Sequence, residues 1–142
     1  MLTKSSEYAI RCAIYVVAMS KKGHRVGVDE IASNLDAPRH FIAKILQVLT
    51  KNNVLHSAKG PNGGFYWIPK EPCVTAFDIA VLMDGPQRFT NCVLGLKACS
   101  SANPCPMHHQ YKSAKEQIIH LFQTTDLEHL SNSLINQNTQ LK

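Results

Sequence analysis

Apolar residues recur through residues 4–20 at Tyr8, Ile10, Cys12, Ile14, Tyr15, Val17 and Ala18. That spacing wraps most of a helical circumference and predicts a helix buried on more than one side. Ser5 or Ser6 is placed to cap it, and Lys21-Lys22-Gly23-His24 ends it. A short helix is predicted over Asp29–Leu35, where Ile31, Ala32 and Leu35 share a face. Asp36-Ala37-Pro38 breaks the chain. Pro38 then suits the first turn of a longer helix to Asn52, where its missing N–H would have had no partner. The stripe of that helix is Phe41, Ile42, Ile45, Leu46 and Leu49. Two helices joined by a few residues, the second longer, read as a helix-turn-helix.

The period changes after Asn52. Val54–Ala58 and Phe65–Ile68 are β-prone runs flanking Lys59-Gly60-Pro61-Asn62-Gly63-Gly64, which predicts strand, turn, strand. A hairpin in this position is the wing of a winged helix. Thr75 caps a helix to Met83, with Asp78 placed to reach back to the cap. Asp84-Gly85-Pro86 stops it, and residues 86–105 read as an irregular loop. A helix from Pro106 to about Phe122 carries Met107, Tyr111, Ala114, Ile118 and Leu121, a heptad-like seam. Thr124 or Thr125 caps a last short helix with Leu127, Leu130 and Leu134, and the polar residues 136–142 read as a frayed tail. The expected fold is mainly α with one small β-hairpin. Its units are a winged helix-turn-helix over 1–70, with the first helix also touching the second unit, a cysteine loop and long helix over 71–135, and the flexible tail.

Charge sharpens this picture. Residues 1–70 hold ten basic and four acidic side chains, +6, whereas residues 71–142 hold five and six, −1. A basic half joined to a neutral one fits a polyanion-binding module carrying a second unit. Opposite its apolar stripe, the helix from Pro38 shows His40, Ala43, Lys44, Gln47 and Lys51, with Arg39 at its start. A major groove admits one helix, whose N-terminal side chains reach base edges. Arg39 suits a guanine edge, Gln47 an adenine, and His40 and Lys44 bases or phosphates. In the wing, Lys59 and Asn62 sit among Gly60, Gly63 and Gly64, which let backbone N–H groups approach phosphates or a minor groove. The alternative for each residue alone is a solvated helix face or a plain hairpin closure. The order of elements on the basic half favours double-stranded DNA as the partner. No nucleophile–base pair or phosphate loop argues for an enzyme. No stretch approaches the roughly 18 apolar residues of a membrane span. The run Tyr8–Met19, broken by Arg11, reads as a buried helix rather than a signal peptide. The expectation is a cytoplasmic protein with no membrane partner.

In a reducing cytosol, five cysteines suggest metal, redox or packing roles before disulfides. Cys92, Cys99 and Cys105 are spaced C-x6-C-x5-C, and His108 follows as C-x2-H. Thiolates on a loop can converge on one metal centre, and the set is compatible with an iron–sulfur cluster, which needs four ligands. Cys105, beside Pro106, is expected near the N-terminus of the long helix, where the dipole favours thiolate. His108 falls on the same side of the first turn, while His109 points about 100° away and reads as a surface residue. Three ordinary or thiol-sensing cysteines are the alternative. Cys12 reads as packing, and Cys73 has no assigned role.

Together these segments resemble the IscR/NsrR/CymR family of bacterial winged helix-turn-helix regulators. The likeness runs from Leu2 to about Leu134. Its most specific pieces are Leu2-Thr3-Lys4-Ser5-Ser6-Glu7-Tyr8-Ala9, Ile31–Leu49, the wing Lys59–Phe65 and the loop ending Cys105-Pro106-Met107-His108. The resemblance implies a homodimer, paired through the helix bearing Met107, Tyr111, Ala114, Ile118 and Leu121. It also implies a cluster on Cys92, Cys99 and Cys105, [2Fe–2S] in preference to [4Fe–4S], which need not survive purification. The fourth ligand is then His108, as in the IscR-like branch, with Glu7 from the other subunit in reserve, as in the NsrR-like branch. Two departures stand out. The first gap holds six residues rather than the five common in cluster-binding branches, and Ala43 replaces a base-reading glutamate, so the target sequence should differ. The resulting expectation is a homodimeric DNA-binding regulator sensing iron–sulfur, redox or nitrosative status. Two others stand beside it: a cluster-free regulator answering thiol oxidation, a small ligand or a partner protein, and a redox or cluster-carrier protein whose winged helix contacts another protein.

Overall fold

The computed structural model describes residues 1–142. Its hub is α1 (Lys4–Lys21), capped by Thr3, whose side chain accepts from the Ser6 N–H. Ala9, Cys12, Ala13, Val16, Val17 and Ala18 are all fully buried, so this helix is enclosed on most sides, as its sequence pattern predicts. It packs against α3 (Arg39–Lys51) on one flank and against α4 (Ala76–Asp84) and α6 (Leu127–Asn136) on the other. The predicted cap, Ser5 or Ser6, lies inside the helix instead. The cap is Thr3, which also hydrogen-bonds Asp84 through its N–H at 3.1 Å and through its hydroxyl.

The helix α2 (Val28–Asn34) leads through Asp36, at φ 50°, and Pro38 into α3. Pro38 is the N-cap of α3 rather than a residue of its first turn. Asp tolerates the left-handed conformation that so short a turn requires. Ile31, Leu35, Ile42, Leu46 and Leu49 are buried together with α1, which fixes α3's polar side outward. Asn53, at φ 57°, closes α3, and the Val54 N–H donates to the Leu49 carbonyl at 2.9 Å.

The wing is an antiparallel pair, β1 (His56–Ala58) and β2 (Gly64–Tyr66), with Ser57 opposite Phe65. Both strands are shorter than the β-prone runs suggest. Val54 and Leu55 are buried in the core below the hairpin, and the Trp67 N–H turns aside to Ser20 Oγ at 2.9 Å. The hairpin gains a third edge: Val26 pairs with Phe65 through hydrogen bonds of 3.1 and 2.7 Å.

A linker with a cis Glu71–Pro72 bond leads to α4, where the expected Thr75/Asp78 capping box forms. The region from 86 to 107 contains one 3₁₀ turn, Pro86–Phe89, whose Phe89 is buried against the rings of Phe77 and Phe122. The long helix α5 begins at His108, two residues later than expected, and runs to Thr124. Thr124 and Thr125 donate their hydroxyls back to α5 carbonyls, and Asp126 caps α6 instead. The tail has no regular structure and is mostly exposed. Leu141 packs on the core, and its carbonyl accepts from Arg11 Nη1 at 3.1 Å. No helix is long and apolar enough to cross a membrane.

Candidate nucleic-acid interface and cysteine loop

Arg39, His40, Lys44, Gln47 and Lys51 are all exposed on α3, opposite the buried Ile42, Ile45, Leu46 and Leu49. The apolar side of a strongly amphipathic helix is consumed by the core, so the polar side has nowhere to point but out. Arg39 Nε donates to Asp29 Oδ1 at 2.6 Å, an exposed pair. That contact is made through Nε, so both terminal nitrogens of the fork stay unengaged, the geometry that matches a guanine O6/N7 edge. Asp29, at the start of α2, thus orients Arg39. The sequence lists both residues without relating them.

Lys59, Gly60 and Asn62 are exposed at the wing tip, with Gly63 and Gly64 half-buried behind them. The Gly63 N–H donates to the Gly60 carbonyl at 2.9 Å, and a Cβ at Gly63 would overlap the Ala58 carbonyl oxygen. The tip therefore has a fixed, narrow backbone profile. One basic residue of this surface escapes sequence reasoning. Arg25 lies beside the wing, its guanidinium 4.7 Å from the Tyr66 ring centre. The signal that places it there is the single Val26–Phe65 bridge, too short to register as periodicity.

At the other end, folding groups the loop donors in two pairs. Cys92 Sγ and Cys105 Sγ are 3.7 Å apart, and Cys99 Sγ is 3.4 Å from His108 Nδ1. His108 is buried, and its Nε2 is 3.1 Å from Ser101 Oγ, a partner that fixes the ring. Lys115 Nζ stands 3.8 Å from Cys99 Sγ, a positive charge beside that sulfur. No three His, Cys, Asp or Glu side chains surround a single point in the manner of a one-ion site. With α5 starting at His108, Cys105 lies before the N-cap Met107, and its carbonyl accepts from the His108 N–H at 2.9 Å. Cys92 is drawn toward thiolate. The backbone N–H groups of Leu96 and Leu94 lower its pKa, burial opposes them, and Cys105 and Lys115 act in the lowering sense. Cys12 is the opposite case: burial pushes its thiol up to about 12, which fits packing alone. His109 is exposed, and Cys73 is half-buried in the cleft between α3 and α4. Glu7 pairs with Lys4 at 2.8 Å and lines an apolar cleft with Leu2, Ile10, Leu121 and Phe122.

Of the seam residues, Tyr111 and Ile118 are half-buried, Ala114 is exposed and Leu121 is 60% exposed. Met107 is exposed too and precedes the helix rather than beginning its stripe.

The sequence model of one family, Rrf2, described as iron-dependent transcriptional regulators, matches residues 2–133. The chain belongs to this family. A relative from Aquifex aeolicus, named an HTH-type transcriptional regulator, is 34% identical over 127 residues, covering 88% of this chain and 87% of that one. The HTH-type transcriptional regulator IscR of Photorhabdus laumondii is 22% identical over 132 residues, covering 93% and 79%. In fold, the chain is similar to CymR, the global cysteine regulator of B. subtilis, at TM-score 0.74, 18% identity and coverage of 93% and 96%. It is also similar to T. potens IscR, at TM-score 0.73, 14% identity and coverage of 98% and 91%. As an Rrf2 member the chain is a winged-helix, DNA-binding transcriptional regulator and not an enzyme.

Proposed function

We infer that this Rrf2 regulator is a cytoplasmic homodimer that reads DNA through the α3 faces and wings and senses iron–sulfur or redox status through Cys92, Cys99, Cys105 and His108. The observation that carries the sensing half is the pairing of donors. Two thiolates at about 2.3 Å from one tetrahedral metal stand about 3.8 Å apart, and a thiolate and an imidazole nitrogen about 3.6 Å. The Cys92–Cys105 and Cys99–His108 distances of 3.7 and 3.4 Å sit close to both values. A [2Fe–2S] cluster takes two protein ligands on each iron, so two pairs suit it better than they suit one ion. When bound, such a cluster supplies one-electron redox chemistry and sensitivity to oxidants. The chain's part is to hold the donors. Ser101 orients His108, and Lys115 sets a positive charge against Cys99.

The dimer half rests on α5. Within the chain it packs mainly on α4 and leaves Leu121 outward, at an apolar cleft of about 490 Å³ that also touches α1; Met107, just before the helix, is exposed too. A second copy would cover these, and its α3 would meet a successive major groove about 34 Å away. Because the loop enters α5 directly, changes in the loop bias the placement of α5, and with it the spacing of the two α3 helices.

The test is anaerobic purification followed by an absorbance spectrum and iron and sulfide analysis. The expected result is a coloured protein with about two irons per chain, lost in Cys92→Ala and strongly reduced in His108→Ala. A colourless, iron-free wild type after reconstitution would reject the cluster and leave DNA binding standing. The 3.7 Å Cys92–Cys105 separation also favours a second reading, in which an oxidant such as peroxide removes two electrons and two protons to join these sulfurs. Mass spectrometry of the iron-free protein separates the readings: a loss of two hydrogens on peroxide treatment, with a DNA response, supports the second.

A further inference from the structure

The α1–α2 connection is part of the wing. Val26 is completely buried and exchanges two backbone hydrogen bonds with Phe65, so the α1–α2 connection meets β2 at this one bridge. Gly64, at φ 131°, permits this: a Cβ there would stand 2.9–3.1 Å from the Val26 backbone. Arg25, next to Val26, is therefore fixed in position by backbone pairing rather than by chance contact. Its side chain is also held. The guanidinium lies over the Tyr66 ring, and Nη1 donates to the Asn62 carbonyl at 3.5 Å. No carboxylate pairs with it, whereas Arg39 and Arg88 each have one. Between the Gly23–Arg25 turn and the wing tip Pro61–Gly63 runs an open cleft with no apolar residue in its lining.

A guanidinium stacked on an aromatic face loses little further freedom on binding an anion, because its plane is already set. We propose that Arg25 is a DNA-contacting residue of this regulator, a cation that the α1–α2 turn lends to the wing for a backbone phosphate of the duplex. The proposal rests on the DNA-binding function and extends the interface from α3 and the hairpin to the turn that precedes α2. Arg25 and Lys59 then give the wing two exposed cations near its glycine tip.

Each phosphate neutralised releases counterions, so losing one contact lowers the slope of log K against log salt by about 0.9 and weakens binding about eight-fold near 0.1 M salt. The probe is a mixed-sequence duplex with a fluorescent end label, titrated by anisotropy at several salt concentrations against the full-length chain. Arg25→Gln keeps a planar group over Tyr66 and removes the charge. Its slope should fall by about 0.9, with about eight-fold weaker binding at the lower salt. Arg25→Lys should keep the wild-type slope, and being a charged replacement at an exposed position it reports even if the Gln variant fails to fold. Wild-type slope and affinity in Arg25→Gln would overturn the assignment. So would weaker binding at unchanged slope, which means Arg25 only steadies the wing, or a reduced slope in Arg25→Lys. A wild type that binds no duplex at any salt would instead remove the DNA-binding function itself, and this proposal with it.

Discussion

Replacing Gly64 by Ala tests how the wing is fixed to the body of the protein. Gly64 has φ 131°, and the new Cβ would meet the O, C and N atoms of Val26 at 2.9, 3.0 and 3.1 Å. Those are backbone atoms of a fully buried residue, so no flexible side chain can yield. Holding an L side chain at such a φ costs about 1–3 kcal/mol, and overpacking against fixed atoms adds a similar about 1–3 kcal/mol. The chain's other route is to lift β2 off Val26 and lose hydrogen bonds of 3.1 and 2.7 Å, each with a net contribution of about 1 kcal/mol. The first route totals about 2–6 kcal/mol, and the second, which keeps the backbone strain and forfeits about 2 kcal/mol more, about 3–5, so the loss is about 2–5 kcal/mol. For a chain of this length each kcal/mol moves Tm by roughly 3–4 °C, so Gly64→Ala should melt about 6–20 °C below wild type by circular dichroism. Gly60→Ala is the matched control. Its φ is 99°, but nothing lies within 4 Å of the added Cβ, so only the backbone term applies and the drop should be smaller. A Gly64→Ala melt within about 2 °C of wild type, or one no worse than Gly60→Ala, would refute the reasoning.

Other outcomes follow from the same contacts. Asp29→Ala removes the carboxylate that orients Arg39; because the pair is exposed, stability should change by under about 1 kcal/mol. Affinity for a selected operator should fall relative to non-specific duplex, and an equal gain on both would show that Asp29 only repels DNA. Leu121→Glu should dissociate the proposed dimer: two copies lose about 3–6 kcal/mol of apolar burial, weakening association on the order of a hundred-fold or more. Light scattering that still gives the wild-type mass would remove Leu121 from the interface. The pKa of Asp84 lies below its ordinary 3.8: burial raises it, and the hydrogen bonds from the Thr3 hydroxyl and N–H together with nearby Arg88 outweigh that effect. A depressed carboxylate contributes stability above its unfolded pKa and loses it as pH falls through the folded one. Wild type should therefore lose its advantage over Asp84→Asn as pH drops below about 4, as followed by urea melts at several pH values. A difference between the two that is constant across that range would contradict the assignment.

Much of the fold was legible because long amphipathic segments carry their own period. Ile42, Ile45, Leu46 and Leu49 place the core side of α3, and their complement is the candidate DNA face. Local chemistry misled where two residues compete for one task. Thr124 and Thr125 look like caps, but their hydroxyls bond backward to α5, leaving the cap to Asp126. The polar tail reads as loose because nothing local shows that Leu141 will find the core or that Arg11 will hold its carbonyl. Phe89 was hidden in a segment without period, although a 3₁₀ turn buries it beside Phe77 and Phe122. For the site, spacing names Cys92, Cys99, Cys105 and His108 as a set. It does not say which sulfur faces which partner, since that depends on how a loop with no regular structure folds back on α5. Arg25 and Asp29 act across turns on Tyr66 and Arg39, at separations no helical or strand period links.

The most direct test of a paired regulator with outward α3 faces is a hydroxyl-radical footprint on a duplex selected by the wild-type protein from a random pool. Two protected windows on one side of the duplex are expected, their centres about 10 base pairs or a multiple apart, both vanishing with Arg39→Ala and Lys44→Ala combined. A single window, or a footprint that the combined variant leaves unchanged, would contradict it.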